Sequence, residues 1–444
     1  MRRPRVRPAA MRPARIRAAG LLAAAVLLLS GCSGATGPPS VRAAPTAWTA
    51  DLGAAVVGRP VVADGAVIAA TERNRVVALD PVTGRIRWSR TVGRPLTGTA
   101  QVVGCGNLDP LGITSTPVVD AATHTVFVVA EVRTGDAAVE HRLVALDTRT
   151  GRILRTAVAD PPLPAGEHPL ALLQRPGLVL ANGRVYVAFG GNSGDCGHYH
   201  GWVVGLPADG AGATVSFEAA PDGEGGAIWM SGGAPVVDGA GNLFVTTGNA
   251  NPGPPEGGPD PKRYTESVVK LSPALAPLAA FKDRIAGGDE DLSTGPPVLL
   301  PDGRVVVVGK TDVAYVLDRD LHRVAAIEHV CGSDPDGTPA YDRATARLFV
   351  PCRDGGIQEL DLKADRLGPL LPGPNGSPVL AGGTLLAVSY PDGVLTTFDV
   401  ASGTATSSER LGVQVPHFVT PVVAGRLVLI GTERGVTAVP RASR

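Results

Sequence analysis

Apolar residues in this chain come in short, β-branched runs separated by turns rich in Gly, Pro and Asp. One stretch shows the plan clearly. Pro60-Val61-Val62-Ala63 leads through Asp64-Gly65 to Ala66-Val67-Ile68-Ala69-Ala70. Val76-Val77-Ala78-Leu79 follows, then Asp80-Pro81-Val82-Thr83-Gly84, then Ile86-Arg87-Trp88. Runs of this length bounded by turn residues predict strands. They are A over Pro60–Ala63, B over Ala66–Thr71, C over Arg75–Leu79 and D over Arg85–Arg90. Asp80 opens a tight turn, and Gly84 supplies the left-handed residue that closes it. Trp88 on strand D is expected to pack between neighbouring sheets.

The unit recurs. A strand-A proline reappears at Pro117, Pro176, Pro235, Pro297, Pro339, Pro378 and Pro421, which makes eight units. Leu143-Val144-Ala145-Leu146-Asp147-Thr148-Arg149-Thr150-Gly151 repeats the C–D hairpin closely. Tyr315–Asp318, Gln358–Asp361 and Thr397–Gly403 repeat it more loosely. Early units are about 60 residues apart and late ones about 40, so the early units carry long insertions.

The eighth unit stops after Gly435–Val439 and lacks a D strand. Ala47-Trp48-Thr49-Ala50-Asp51-Leu52-Gly53 looks like a D strand with its Trp and has no A, B or C before it. The expected solution is a ring in which the N-terminal strand completes the last sheet. Closure gives each sheet a neighbour on both faces and leaves only short edges. The fold class is therefore all-β: an eight-bladed β-propeller of four-stranded antiparallel blades over residues 46–444.

The Ala-Leu-Asp-x-x-Thr-Gly-x-x-x-Trp pattern at Ala78–Trp88 resembles the pyrroloquinoline-quinone (PQQ)-type propeller repeat. Quinoprotein dehydrogenases share that repeat with non-enzymatic propellers such as the outer-membrane assembly lipoprotein BamB. The resemblance implies the fold and leaves the function open, because function lives in sites grafted on folds. For a dehydrogenase it implies a quinone held between a Trp and a disulfide of adjacent cysteines, beside Ca²⁺. This sequence has no adjacent Cys pair. Trp229 resembles a blade-entry Trp of such propellers, and Asp289-Glu290-Asp291 carries oxygen ligands of the type Ca²⁺ takes.

In the blade reading, the D–A and B–C links lie at one end of the ring and hold nearly every insertion. These are Gly93–Ser115, Asp160–Gln174, Ala219–Gly233, Lys282–Gly295, Gly190–His200 and Gly248–Glu266. Elaborated loops on a rigid scaffold are the usual place for binding. Candidate residues of that face are Asp195, His198, Tyr199, His200, Trp229, Asn249, Asp289 and Asp291. Cys105, Cys196, Cys331 and Cys352 also fall there. An even count in an exported protein implies disulfides, and four cysteines allow three pairings. Cys331 and Cys352 flank one blade and are the natural pair, which leaves Cys105 and Cys196 across blades 2 and 3. The Asp195–His200 cluster has metal-ligand types but no Cys-x-x-Cys pair, so no metal site is expected.

The N-terminus sets the expected compartment. Seven Arg and no acid precede an apolar run from about Ala18 to Leu29, and Leu29-Ser30-Gly31-Cys32 follows. A basic start, a short apolar run and small residues before the cut mark a secretory signal over residues 1–31. The last four residues resemble the bacterial lipobox, which implies acylation of Cys32 and a lipid anchor on the outer face of the cell membrane. Residues 32–45 read as a flexible tether. Loss of residues 1–31 leaves 34 basic against 41 acidic side chains, a net −7. That balance argues against a nucleic-acid partner, since phosphate contacts need clustered Lys and Arg. No Gly-x-Ser-x-Gly, His-Glu-x-x-His or phosphate loop occurs, and no nucleophile–base pair is evident. The expectation is a monomeric, non-catalytic binding protein for a protein or small ligand, with no cofactor. The alternatives are a PQQ–Ca²⁺ or metal-dependent oxidoreductase and a BamB-like envelope assembly factor.

Overall fold

A computed structural model describes residues 42–43, 47–251, 262–283 and 289–441. Cys32, the signal segment and most of the expected tether lie outside the described residues. Within them are eight antiparallel sheets of at least four strands, arranged as the blades of a propeller. Among the described residues, helix is confined to the turns Thr99–Val103 and Pro169–Ala171.

The first blade is A Val61–Ala63, B Ala66–Ala70, C Arg75–Leu79 and D Ile86–Thr91. Strand A starts directly after its proline in seven blades. In the third, Gly177 and Leu178 intervene between Pro176 and the strand at Val179–Ala181. The inner strands B and C are buried on both faces, as Ala66–Ala70 and Val305–Val308 show, because each sheet is sandwiched between two others. The outer D strands are exposed along most of their length, as in Ile86–Thr91.

Apolar side chains from adjacent blades join into one core cluster per interface. Ile68 and Val128 meet between blades 1 and 2, Val204 and Phe127 between blades 2 and 3, and Phe398 and Phe349 between blades 6 and 7. The last interface closes the ring. Trp48, Ala50 and Leu52 share a cluster with Leu429 and Ala438 of blade 8 and with Val67 and Leu79 of blade 1. Trp48–Asp51 pairs antiparallel with Gly435–Ala438 as the outer strand of blade 8, which is the closure expected from the sequence.

Two blades carry an extra strand. Leu172–Leu173 pairs with Gly190 and Gly191 in blade 3. Arg42–Ala43, inside the segment read as tether, pairs in parallel with Glu409–Arg410 on the outer edge of blade 7. Backbone pairing with an exposed strand edge ties down a stretch whose composition signals only flexibility.

The repeat motif has a direct structural meaning. Asp80 Oδ1 accepts the backbone N–H groups of Val82 and Thr83 at 3.0 and 2.9 Å, and the Gly84 N–H returns to the Asp80 carbonyl at 2.9 Å. Asp147 and Asp399 build the same turn with Thr150–Gly151 and Ser402–Gly403. The Trp on a D strand then docks on the C–D turn of the next blade. Trp88 donates to the Thr148 carbonyl at 2.9 Å, and its ring lies against Gly151.

Candidate functional site

A cavity of about 410 Å³ opens at the centre of one end of the ring. Every residue lining it comes from a D–A or B–C connection, so it lies on the loop-rich face. The lining includes Asp195, Trp229, Asn249, Asp289 and Asp291 from the sequence-derived candidates.

Asp195 sits in the B–C link of blade 3, where its Oδ1 accepts the Tyr199 hydroxyl at 2.5 Å. Burial pushes the Asp195 carboxyl up, with Asp291 and Asp289 adding negative charge nearby. Burial also drives the Tyr199 hydroxyl well above its ordinary range, so it remains a donor. Trp229 enters from the D–A link between blades 3 and 4, held by a bond from its backbone N–H to Ser293 Oγ at 2.9 Å. Asn249 donates its backbone N–H to Asp291 Oδ1 at 3.0 Å.

Lys310, from the B–C turn of blade 5, places its ammonium 2.5 Å from Asp289 Oδ1 and 3.0 Å from Asp291 Oδ2. Burial pushes the Asp291 carboxyl up against the pull of Lys310. Desolvation opposes the Lys310 charge, but Asp291 and Asp289 outweigh it and raise its pKa. The triad is a partly buried ion network.

His198 and His200 do not reach the cavity. His198 is exposed and pairs with Glu224 at 3.0 Å. His200 is buried, with Nδ1 on Glu167 and Nε2 on the Gly223 carbonyl. Glu224 holds His198 at the surface while Glu167 and the Gly223 carbonyl hold His200 inside, which splits the cluster the sequence brings together. Among the described residues, no three His, Cys, Asp or Glu side chains converge as a metal site.

Both pairs of cysteines are bonded. Cys331–Cys352 joins the entry of blade 6 to the end of its B strand. Cys105–Cys196 clips the link between blades 1 and 2 to the B–C loop of blade 3. The Cys105 side chain lies against Gly194, so this bond sits at the cavity rim.

The opposite wall was not visible in the sequence. Asp336 accepts from the Tyr390 hydroxyl, meets His417 Nε2 at 2.9 Å and lies 3.5 Å from the Arg353 guanidinium. His417 stacks on Phe418 with ring centroids 3.7 Å apart. The Arg175 guanidinium lies over the Phe418 ring, 4.2 Å from its centroid. Asp336, Arg353, Tyr390, His417 and Phe418 come from shorter links of ordinary composition. One signal was available for Arg175: it immediately precedes a strand-A proline, and that position lines the channel, as it does at Arg59, Thr116 and Thr420.

Residues 42–251 match the family model described as outer membrane protein assembly factor BamB, just under half of the chain. Among solved structures, quinohemoprotein alcohol dehydrogenase from Comamonas testosteroni superposes with a TM-score of 0.68 at 14% identity, over 90% of this chain and 77% of that one. The fold is that of the PQQ-like propeller. BamB from Moraxella catarrhalis shares this PQQ-like fold with a TM-score of 0.59 at 15% identity, over 89% of this chain and 99% of the other. A europium-containing methanol dehydrogenase gives 0.66 at 15% identity, over 87% and 85% of the two chains. No curated protein matches the chain in sequence. At these identities the likeness establishes the PQQ-like fold and no activity.

The quinone–Ca²⁺ pair is the group that the repeat resemblance implies. The cavity residues do not fit Ca²⁺ as arranged. The Lys310 ammonium bridges the two carboxylates and already supplies the positive charge there. The disulfide at the rim joins residues 91 positions apart and is not an adjacent-Cys ring.

Proposed function

We propose that this protein is an exported lipoprotein, anchored through Cys32, whose propeller binds a small polar ligand in its central cavity. The observation that carries the reading is the cavity itself. It has about 410 Å³ of space, an aromatic wall at Trp229 and a set of charged groups converging from separate blades. A pocket of this size with a few placed polar groups is the usual form of a ligand site. Ligand capture needs no nucleophile.

Native mass spectrometry of the full chain, before and after exposure to a cell extract, tests the binding. A bound small molecule that Trp229→Ala loses is expected, and equal retention by the variant overturns the reading. The anchor has its own test. Metabolic labelling with a fatty-acid analogue should mark the wild type and not Cys32→Ser, which should leave the membrane fraction.

A second reading, a PQQ-dependent oxidoreductase, draws on Trp229 and the Cys105–Cys196 bond bordering one cavity. Addition of PQQ and Ca²⁺ followed by dye reduction with alcohols decides it. Saturable reduction would replace the binding reading with the catalytic one.

A further inference from the structure

Each strand-A proline is preceded by a residue at the inner wall of the ring. Those eight positions are Arg59, Thr116, Arg175, Ala234, Pro296, Thr338, Ser377 and Thr420. Six carry small or hydroxyl side chains that let the strands crowd together. Thr338 N–H donates to Ser377 Oγ at 2.9 Å, and Arg59 N–H to Thr116 Oγ1 at 3.0 Å. The other two carry arginines, and both line one narrow channel below the main cavity, shared with His417 and Phe418.

Among the described residues, neither guanidinium has a hydrogen-bond acceptor. Arg59 uses only its backbone N–H, and Arg175 has only the Phe418 ring. The carboxylates that act on Arg175 do so through space. Asp336 is engaged by Tyr390, His417 and Arg353, and Glu72 accepts the Gly112 N–H at 2.8 Å. Burial lowers the pKa of Arg59, and that of Arg175 to about 10, so both stay charged at neutral pH. Both arginines are half-buried, and each guanidinium has five N–H donors arranged to grip a planar or tetrahedral oxyanion. The channel has room for about one water-sized group, about 10 Å³, so it takes the tip of a ligand and not its body.

We propose that the ligand of the central cavity carries an oxyanion, a carboxylate or a phosphate, and inserts that group toward Arg175 and Arg59 while its body rests against Trp229. The Asp289–Lys310–Asp291 network at the other wall is already neutralised in part. That leaves the arginine wall as the cavity's unmet charge. The inference rests on the cavity reading above and adds the class of ligand.

The test uses the full chain with three probes: citrate, inorganic phosphate and neutral inositol. Thermal shift and calorimetry should show citrate or phosphate stabilising the wild type, and inositol doing so far less. The probe that binds tells carboxylate from phosphate. Arg59→Gln/Arg175→Gln should abolish the anion-induced shift and, without anion, melt no lower than the wild type, because an uncompensated charge has gone. Where the double variant does not fold, Arg175→Lys serves, with anion affinity expected to fall by about tenfold or more as the two-pronged contact is lost. The proposal is overturned by no shift with either anion, by a shift the arginine variants retain, or by ligand-free variants that are markedly less stable. Binding of inositol that Trp229→Ala abolishes, with no anion effect, overturns the anion and keeps the cavity. Anion binding indifferent to Trp229→Ala but lost in the arginine variants does the reverse.

Discussion

The indole of Trp48 lies on Gly84 in the neighbouring blade and donates its N–H to the Pro81 carbonyl at 2.9 Å. A Cβ on Gly84 would stand 2.6 Å from the ring, and Gly84 has φ +68°. The contact joins the first outer strand of the chain to the first complete blade. It repeats between Trp88 and Gly151, where a Cβ would approach to 2.4 Å.

Gly84→Ala should therefore destabilise the protein by about 2–4 kcal/mol, from steric overlap and the left-handed backbone together. Trp48→Ala should cost about 3–5 kcal/mol through the lost ring. In the Trp48→Ala background the Gly84→Ala cost should shrink to the backbone part alone. Urea denaturation of the four proteins in a double-mutant cycle measures this. Additive costs would show that the ring and the turn are independent.

Closure makes a second prediction. Deletion of Thr46–Gly53 removes the strand that pairs with Gly435–Ala438 and three apolar side chains from the cluster joining blades 8 and 1. The deletion protein should melt well below the full chain and in a broader transition. The Asp51–Arg434 ion pair is exposed on both sides, so Asp51→Asn alone should have little effect. A deletion protein that melts like the full chain would mean that the ring holds without its closing strand.

Stability should fall across mildly alkaline pH. His141 is buried, with Nδ1 2.7 Å from Asp160 and Nε2 3.6 Å from Glu131. Burial opposes the imidazolium, yet Asp160 and Glu131 outweigh it and hold the pKa at about 9. A pKa raised above the unfolded value of about 6.5 means the stabilisation is complete below about pH 6.5 and is lost as pH rises through about 9. The size is on the order of 3 kcal/mol. Glu72, raised by burial to about 7, adds a loss from about pH 4.5 to 7 by the same sign rule. Denaturation midpoints from pH 5 to 9.5 should show both windows. His141→Gln should flatten the upper one and spare the lower.

The ion network at the cavity wall makes a fourth. Lys310→Met leaves Asp291 buried with no counter-charge and should cost roughly 3–5 kcal/mol at pH 7.5. Acidification or a second change, Asp291→Asn, should restore much of it, because each removes the orphaned charge. Melting curves at pH 5 and pH 7.5 read this out. Equal loss at both pH values would assign the effect to packing of the lysine stem.

The ring, its eight blades and its closing strand were legible because they depend on local chemistry repeated along the chain. Pro before strand A, Asp and Gly in the C–D turn and Trp on strand D each act within a few residues or on the next unit. The loop-rich face was legible too, since insertions fall between known strands. Which residues meet in the cavity was not. His198 and Asp195 are neighbours in sequence, but Glu224 holds the histidine outward while Tyr199 holds the aspartate in. Lys310, Asp336 and His417 come from three different blades and converge only because the ring brings its links to one axis. Arg59 and Arg175 show the division most clearly. The sequence determined that each stands before a strand-A proline. Only the tertiary structure put both guanidiniums in one channel without a described carboxylate in hydrogen-bond contact, because pairing across a ring depends on distances the linear order does not contain.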